Sequence, residues 1–481
     1  MPRTIKAHQK DWGATHVWIL KTHLESLNML VDYSTIMDTS QQRFLVVICY
    51  PNDWHWVLST EFVLSLSNQN VLIDILDLST TEENSFRLLF KKLFKKDNLK
   101  RSLRKILKNS DANFVGRKYV LSEKIKNKFL FCKKFSSTVN LNNHPALNSI
   151  IEKIGNLKIS KTRDKYVIRK ELSAYNSVMN VISCINLDLY SMVVTVNGRF
   201  SKNAAVVKRC RDLQLKTNLI EFGSTLSKFE VFEDSPHSMI EAEKKIRICW
   251  DNAPEEHRTR IASNYLSDLV LSSSENRYGW RDLMIEGSIP KQKLTNRCTF
   301  FASTEAEYAG GVGDEIMEGN FRNQVEAFQS LVDLLPAKDW EIFLRRHPRA
   351  RHGSDIDPEE FLWSDFTDIP NVFIVSPDSE IDSISLGLSS NFVMNFSSSI
   401  AIELAVRGFQ SFATLGPAPW NQLLPKHYTP NVRTLKIFFD NPPSSMKITD
   451  LYPWAFYVAT FGKDFLAIKY DNKKKKWILD L

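Results

Sequence analysis

The residues best suited to chemistry in this chain lie in the stretch Asn391–Gly408, NFVMNFSSSIAIELAVRG. An apolar run that is typical of a buried strand leads into Ser397, Ser398 and Ser399, and a helical pattern follows as far as the glycine. A helix that begins after small hydroxyl residues offers free N–H groups and a partial positive charge to an anion. The stretch therefore predicts a phosphate site, and the alternative is an ordinary serine N-cap.

Cationic side chains at the end of an earlier predicted strand favour the phosphate interpretation. The segment WEIFLRRHP, residues 340–348, has Arg346 and His347 at its exit. An imidazole or guanidinium opposite a set of N–H groups is the pairing that a nucleotide phosphate requires. Glu403 follows Ser399 by one helical turn, where it is either an acceptor for a ribose hydroxyl or a member of a surface salt bridge.

The elements around these residues alternate in the way that builds a parallel sheet. Apolar runs predict five strands in the second half, in CTFFAST, WEIFLRRHP, NVFIVSP, NFVMNF and QSFATLG, with helices over 321–335 and 380–388. Thr304, His347, Ser376 and Ser397 then all stand at carboxyl ends of strands. Open α/β sheets bind their ligands at that edge, so these residues are expected to line one crevice.

The first half of the chain shows the same alternation and carries the candidates for acid–base chemistry. Asp53 and His55 lie in the segment PNDWHW after the predicted strand FLVVICY, and we expect this segment to be a loop. Asn197 and Arg199 lie on an Asn-Gly turn after a second strand, where they are expected to meet an acceptor or an anion. Glu221 ends a third strand, and Gly223 after it is expected to leave space for a ligand.

A general base must lose and regain a proton, which excludes the guanidinium of Arg199. Glu221, Asp53 and His55 remain, and we favour Glu221 because it ends a strand beside the Asn-Gly-Arg turn. The alternative is a structural carboxylate paired with Arg199. Two other chemistries are not supported by the sequence. The glycines at 310–313 lack the third glycine and the prompt helix of a dinucleotide fold, and no His/Cys/Asp/Glu spacing matches a zinc site.

Length and composition limit the architecture and the compartment. A chain of 481 residues with 43% hydrophobic and 25% charged residues is typical of a globular protein with more than one core. No apolar run is long enough to span a bilayer, and the first residues lack a secretory pattern. The six cysteines are scattered without metal-ligand spacing. We therefore expect reduced thiols and a cytoplasmic location, and the alternative is peripheral association at the inner face of the membrane.

The net charge of +8 is concentrated in one segment. Between Lys91 and Lys134 there are sixteen Lys and Arg residues against three acidic ones, so the rest of the chain is mildly acidic. Apolar residues recur there at helical spacing, which indicates a basic amphipathic helix. Such a helix either packs on the domain with a solvated basic side or lies on an anionic membrane surface. One localised basic face argues against nucleic-acid binding.

The second half resembles the nucleotide-binding domain of the GT-B glycosyltransferases of bacterial capsule and surface-polysaccharide synthesis. The resemblance rests on FFASTEAEY at 300–308 with its downstream helix, on the His-Pro at 347–348 and on SSSIAIELAVRG at 397–408. VNGRFSKNAAVVKRCRDL with EFG also resembles a segment in the N-terminal half of such proteins. In the related sialyltransferases and Kdo transferases, the histidine and the serines hold the phosphate of a CMP-sugar donor. The resemblance implies that role for His347, Ser397, Ser398 and Ser399.

The sequence thus predicts an α/β protein of the GT-B type, with two Rossmann-like domains facing each other across a cleft. Residues 1–290 are expected to form the acceptor domain with a basic helical insertion at 86–134, and residues 291–440 the donor domain. Residues 441–481 are expected to pack back across the junction, and the boundary is placed near 287–296.

The predicted activity is metal-independent transfer of a sugar from a nucleotide-sugar, with a CMP-sugar favoured, to a surface-glycan or glycolipid acceptor. No cofactor or metal is expected, because the nucleotide-sugar is the substrate. The acidic catalytic motif of the sialyltransferases is not evident in the first half. Two alternatives remain: a CDP-glycerol-type glycerophosphotransferase, and a non-catalytic protein that binds nucleotide or glycan in polysaccharide assembly.

Overall fold

The structure is a computed structural model, and it describes residues 42–66, 69, 71–79, 98–110, 112–115, 144–154, 164–233, 235–271, 283–304, 316–348, 360–443 and 446–480. Several features predicted from the sequence lie outside these residues. They are the helix near 22–30, the glycine-containing loop at 309–314, and most of the basic segment at 91–134.

The first sheet has seven strands in the order β12-β6-β5-β4-β1-β2-β3. The strands are β1 (Gln42–Ile48), β2 (Val71–Asp77), β3 (Asn113–Phe114), β4 (Met192–Val196), β5 (Thr217–Phe222), β6 (Lys228–Phe232) and β12 (Lys463–Asp464). The five strands from β5 to β3 are parallel, whereas β6 and β12 are antiparallel to their neighbours.

Helices cover both faces of this sheet. They are α1 (Asp53–Ser65), α2 (Asn98–Asn109), α3 (Leu147–Ile154), α4 (Lys165–Ile182) and α5 (Ser201–Asp212). Strand β1 is buried on both sides: Val46 and Ile48 pack in the core with α1 and α2, while Leu45 and Val47 pack in the core with α3, α4 and α5. A continuous apolar run is what a parallel strand between two helical layers requires.

The second sheet has five strands, all parallel, in the order β11-β10-β7-β8-β9. The strands are β7 (Asn296–Phe301), β8 (Trp340–Arg345), β9 (Val372–Val375), β10 (Phe392–Asn395) and β11 (Phe412–Thr414). All five strands that the sequence predicts here are present. Two mainly parallel sheets, each between helices, confirm the prediction of an α/β protein with two Rossmann-like units.

The helices that pack around the second sheet come from a wide span of sequence. They are α6 (Met239–Asp251), α7 (Glu255–Leu271), α8 (Gln324–Leu334), α9 (Ser383–Leu388), α10 (Ile400–Val406), α11 (Val432–Asp440) and α12 (Tyr452–Thr460). Ile246 of α6 and Leu266 of α7 share a core with Val393 and Trp454, although both helices precede residue 287. The sequence pattern does not predict α7, because its buried residues are few and widely spaced.

The end of the chain returns to the first sheet. After α12, strand β12 pairs with β6, and the hairpin of β13 (Ile468–Asp471) and β14 (Lys476–Leu479) packs on the core beside α1. The buried carboxylate of Glu61 accepts hydrogen bonds from the backbone N–H groups of Leu466 and Ala467. A buried carboxylate that is satisfied in this way ties the last segment to α1.

The returning segment, with Phe461 and Gly462, occupies the space beside Gly223 where the sequence predicts a ligand. A Cβ on Gly223 would lie 2.7 Å from the carbonyl oxygen of Phe461 and 3.0 Å from the Cα of Gly462. The glycine therefore permits two backbone segments to cross, and the expectation of ligand space at this position is wrong.

Candidate functional site

The strands that precede the predicted donor residues end in register at the carboxyl edge of the second sheet. Asn395 lies in register with Phe301, which lies in register with Arg345 across the next pair of strands. The chain leaves the sheet just after each of these residues. Because β7 lies between β10 and β8, the segment that leads to Thr304 leaves the sheet between the strands that lead to the serines and to His347. The two flanking strands are two strand spacings, or about 10 Å, apart.

Asn395 shapes the turn that carries the serines. Its side-chain nitrogen donates to the carbonyl of Ala413 and to Thr414 Oγ1, and its side-chain oxygen accepts from the N–H of Ser398. The residue is fully buried, so each of these bonds replaces a contact with water. This role depends on strand β11, so the residues around Asn395 in the sequence do not reveal it.

The three serines differ in what their hydroxyls do. Ser397 donates through Oγ to the carbonyl of Pro417 at 2.7 Å, which makes it part of the loop's own framework. Ser399 occupies the N-cap position of α10, but its backbone is helical and its side chain makes no capping hydrogen bond. Ser398 is partly exposed and Ser399 is exposed. Among the three, Ser398 and Ser399 are therefore the ones whose hydroxyls can meet a ligand.

The segment after β7 holds two buried hydroxyls that lack a hydrogen-bond partner within the described part of the chain. They belong to Ser303 and Thr304, which are 9% and 5% exposed. Gln324, the first residue of α8, fixes this segment: its Oε1 accepts from the N–H of Ser303 and its Nε2 donates to the carbonyl of Ser303, both at 2.9 Å. Buried hydroxyls are normally paired, so two unpaired ones side by side point to a ligand.

Three cationic residues lie at the end of β8. Arg345 has a structural role, and Arg346 and His347 follow it at the carboxyl edge of the sheet. Arg345 is 1% exposed, and it donates to Ser383 Oγ and to the carbonyl of Ser376. Burial lowers its pKa to about 10, which still leaves the guanidinium charged at neutral pH. Arg346 is also buried, whereas His347 is partly exposed just after the strand. Glu403, one turn into α10, is partly exposed as well.

In the first sheet, Asn197 and Glu221 lie side by side at the carboxyl ends of β4 and β5. Asn197 has a left-handed backbone with φ of 62°, and Gly198 follows with φ of 82°. The Nδ2 of Asn197 donates to Glu221 Oε2 at 2.5 Å, and the N–H of Phe222 donates to Oε1. Burial raises the pKa of Glu221, although these two bonds and the charge of Arg199 act in the opposite direction. A carboxylate with a raised pKa beside a turn is suited to proton transfer.

Arg199 lowers the pKa of this carboxylate through its charge, and it lies beside a group of aromatic rings at the same edge of the sheet. The guanidinium of Arg199 lies 5.2 Å from the ring centre of Phe200, and the ring of Trp54 lies 6.0 Å from Phe200 and 6.3 Å from Phe222. Trp54 and Phe200 are partly exposed, whereas Trp56 is fully buried in the core. Of the two tryptophans in this segment, only Trp54 is placed to contact a sugar.

The segment with Asp53 and His55 is a helix and not the loop that the sequence predicts. Helix α1 begins at Asp53, directly after Asn52 at its N-cap position, and it buries every residue from His55 to Val63. An acidic residue in the first turn stabilises a helix, and Pro51 precedes that turn without breaking it. Asp53 is exposed. His55 is 0% exposed, and burial, with a smaller effect of Lys202, lowers its pKa to about 3. His55 is therefore neutral, and it is shielded from an acceptor.

One residue of this site has no counterpart in the sequence analysis. His237, in the loop between β6 and α6, has its Nε2 atom 3.4 Å from Nδ2 of Asn197. Ser238 next to it is the N-cap of α6, and its hydroxyl accepts from the N–H of Glu241. The Ser-Pro-His-Ser pattern signals a helix start, but only the three-dimensional path of the loop brings the imidazole to Asn197.

Two searches among the described residues gave negative results. No group of three or more His, Cys, Asp or Glu side chains is arranged to hold a metal ion. In the same residues, no helix combines the length and the apolarity that crossing a membrane requires.

Comparisons with known proteins gave matches only among solved structures. No protein-family profile matches the chain, and no curated protein sequence matches it. KpsC of Thermosulfurimonas dismutans, a beta Kdo 2,4 transferase, aligns over 56% of this chain and 80% of its own, with 11% identity and a TM-score of 0.36. The UDP-GlcNAc 2-epimerase of Methanocaldococcus jannaschii aligns over 84% and 94%, with 10% identity and a TM-score of 0.30.

A glycosyltransferase of Rickettsia africae aligns over 87% of this chain and 93% of its own, with 11% identity and a TM-score of 0.25. All three scores lie below 0.5. These similarities therefore establish neither a common family nor a common activity.

Proposed function

We propose that this protein is a glycosyltransferase that takes a sugar from a nucleotide-sugar and transfers it to a hydroxyl group of a glycan. The observation that carries the proposal is the row of polar groups along the carboxyl edge of the second sheet. Ser303 and Thr304 have buried hydroxyls without a partner among the described residues, and they follow the strand that lies between those leading to the serines and to His347. Hydroxyl, imidazole and guanidinium groups together suit the phosphates of a nucleotide.

The first sheet supplies the second half of the proposed reaction. The oxygen of the acceptor hydroxyl attacks the anomeric carbon of the donor sugar and forms the new C–O bond. Glu221 takes the hydroxyl proton, and the bond between the sugar and the phosphate breaks with its electron pair on the phosphate oxygen. His347 and the hydroxyls of Ser398 and Ser399 stabilise that departing oxygen. Trp54 offers a partly exposed ring at the same edge of the sheet for the acceptor sugar, and Arg199 supplies a positive charge for an anionic acceptor.

The proposed arrangement is of the GT-B type, with the donor on the second unit, the acceptor on the first and a cleft between the two edges. The proposal includes a CMP-sugar as the donor, a surface glycan or glycolipid as the acceptor, and a reaction that does not depend on metal. Peripheral association with anionic membrane also belongs to it. On helix α2 the apolar Leu103 and Leu107 are buried, whereas Arg101, Lys105 and Lys108 are exposed.

The activity itself is tested by mass analysis of products after incubation with different donors and a mixture of glycan acceptors. We expect a mass increase of one sugar with a CMP-sugar. An increase with a UDP-sugar would keep the glycosyltransferase and change the donor. A product of glycerol phosphate from CDP-glycerol would replace the proposal by a glycerophosphotransferase. Nucleotide binding without any product would indicate a non-catalytic protein.

Thr304→Val is expected to weaken the binding of CMP about 10- to 100-fold. A hydrogen bond to a charged phosphate contributes about 1.5–3 kcal/mol, and valine keeps the shape of threonine without the hydroxyl. Isothermal titration calorimetry measures the affinity. Thr367→Val is the matched control, because Thr367 is exposed and its hydroxyl donates only to the nearby carbonyl of Ser364. Equal affinities for the two variants would remove Thr304 from the donor site.

His347→Ala and the double change of Ser398 and Ser399 to alanine are each expected to weaken the binding of CMP by about tenfold or more. Ser397→Ala is expected to act differently, because its hydroxyl donates to the carbonyl of Pro417 and supports the loop. That variant should lower the melting temperature more than the double variant does. Calorimetry and a thermal melt separate the two effects, and full affinity in the His347 and double variants would contradict the donor assignment.

A further inference from the structure

The orientation of the Asn197 amide can be read from its neighbours. In its ionised form, the carboxylate of Glu221 only accepts hydrogen bonds, so the amide nitrogen then faces Glu221 Oε2, at 2.5 Å. The amide oxygen accepts from the N–H of Arg199 at 3.4 Å, which agrees with this orientation. The Nδ2 atom that serves Glu221 is also the atom that lies 3.4 Å from His237 Nε2.

This orientation determines the state of the imidazole. An amide nitrogen carries two hydrogens and accepts none, so its second N–H requires an acceptor at His237 Nε2. A neutral imidazole that accepts at Nε2 carries its proton on Nδ1. Asn197 is 3% exposed, so water does not readily replace either partner.

We propose that His237 is a positioning residue of this site, which holds both N–H groups of the Asn197 amide in place and so keeps one of them on Glu221. The part of the proposal that concerns catalysis rests on the proposed function, in which Glu221 is the base. The part that concerns the tautomer of His237 does not depend on any activity.

Protonation of His237 would then act on Glu221 through the amide. A hydrogen on Nε2 turns the acceptor into a donor, so Asn197 must present its oxygen there and withdraw its N–H from Glu221. The hydrogen bond from Asn197 lowers the pKa of Glu221. Its loss therefore raises that pKa.

The other charged groups around Glu221 have partners of their own or act weakly. Glu230 lies directly opposite Glu221 on β6, and its carboxylate accepts from Lys245 of α6 and from the N–H of Gly462. Arg199 has the smallest of the effects that lower the pKa of Glu221. The bond from Asn197 is the largest of the effects that lower it, so the residue that orients Asn197 has the most influence.

The tautomer is tested by long-range ¹H–¹⁵N correlation spectra of the imidazoles in the whole ¹⁵N-labelled protein at neutral pH. Two histidines serve as internal standards. His427 Nδ1 contacts the carbonyl of Phe412 at 2.8 Å and must carry the proton there, whereas His144 Nδ1 accepts from the N–H of Ala146 at 3.1 Å and leaves the proton on Nε2. Burial lowers the pKa of both, so both are neutral. Single His→Gln variants assign the signals.

We expect His237 to show the Nδ1–H pattern of His427, and Asn197→Ala to turn it into a mixture of tautomers. An Nε2–H pattern like that of His144 in the unaltered protein would overturn the proposal. So would a His237 signal that Asn197→Ala leaves unchanged. These results stand whether or not the protein transfers a sugar.

The catalytic part is tested by the pH dependence of kcat/KM. His237→Leu removes the acceptor and should move the acidic limb to higher pH by about one unit, the size of one hydrogen bond. His237→Gln offers an amide oxygen to Asn197 and should restore the limb. The KM for the donor should stay the same in both variants. An identical limb in the leucine variant, or no rescue by glutamine, would overturn the positioning role, whereas a lack of activity in the unaltered protein would count against the proposed function alone.

Discussion

Glu221→Gln is expected to lower turnover by about 10²–10⁴ while the affinity for the nucleotide stays the same. Glutamine has the shape of glutamate and can still accept from Asn197, but it cannot take the proton of an acceptor hydroxyl. The proposed donor residues lie on the other sheet, so binding of CMP is not expected to change. Single-turnover rates and calorimetry on the same preparation measure the two quantities separately.

Asp53→Asn is the matched comparison, since it also changes a carboxylate to an amide at a carboxyl edge of the first sheet. Asp53 is exposed at the first turn of α1, without the burial that raises the pKa of Glu221. We expect its turnover to remain within a few-fold of the parent. An inactive Asp53→Asn beside an active Glu221→Gln would make Asp53 the base.

The pH dependence follows from the same carboxylate. Burial raises the folded-state pKa of Glu221 above that of an ordinary glutamate, and only the ionised form can act as a base. Activity should therefore fall as the pH drops through this raised pKa, earlier than it would for an exposed carboxylate. The acidic limb of kcat/KM reports the value, and it should disappear in Glu221→Gln.

The sequence predicts most of the second sheet because its strands are continuous apolar runs that end at polar residues. Thr304, His347 and Ser397 follow such runs directly, so their common edge can be derived from the order of the elements alone. The order of the strands cannot be derived in this way, because no local feature of the sequence shows that β7 lies between β10 and β8.

The first sheet shows where sequence reasoning fails and why. Asn52 and Asp53 begin a helix where the sequence predicts a loop, because two tryptophans and a histidine resemble a binding segment more than a first turn. Gly223 suggests space for a ligand, but a segment more than two hundred residues later crosses there. His237 and Gln324 act through contacts with Asn197 and Ser303 that only the folded chain creates.

Arg297→Met is expected to lower the free energy of unfolding by about 3–5 kcal/mol, the largest effect on stability that we predict. Arg297 and Glu341 form an ion pair between β7 and β8, at 3.1 Å, with both side chains 1% exposed. Arg297 also donates to Ser389 Oγ and to the carbonyl of Pro290. Removing the guanidinium leaves a buried carboxylate without its counter-charge, which costs more than the attraction itself contributes.

An exposed ion pair, Lys469 with Asp480, serves as the control for the buried pair of Arg297 and Glu341. Lys469→Met breaks the pair of Lys469 with Asp480, whose side chains are 53% and 57% exposed, and it should cost less than about 1 kcal/mol. Replacing both Arg297 and Glu341 by apolar residues should recover part of the loss, because no charge then stays buried. Urea unfolding monitored by fluorescence gives the midpoints of all three variants. A loss in Arg297→Met no larger than that in Lys469→Met would mean that water reaches Glu341 and that the centre of the second sheet is less closed than its packing implies.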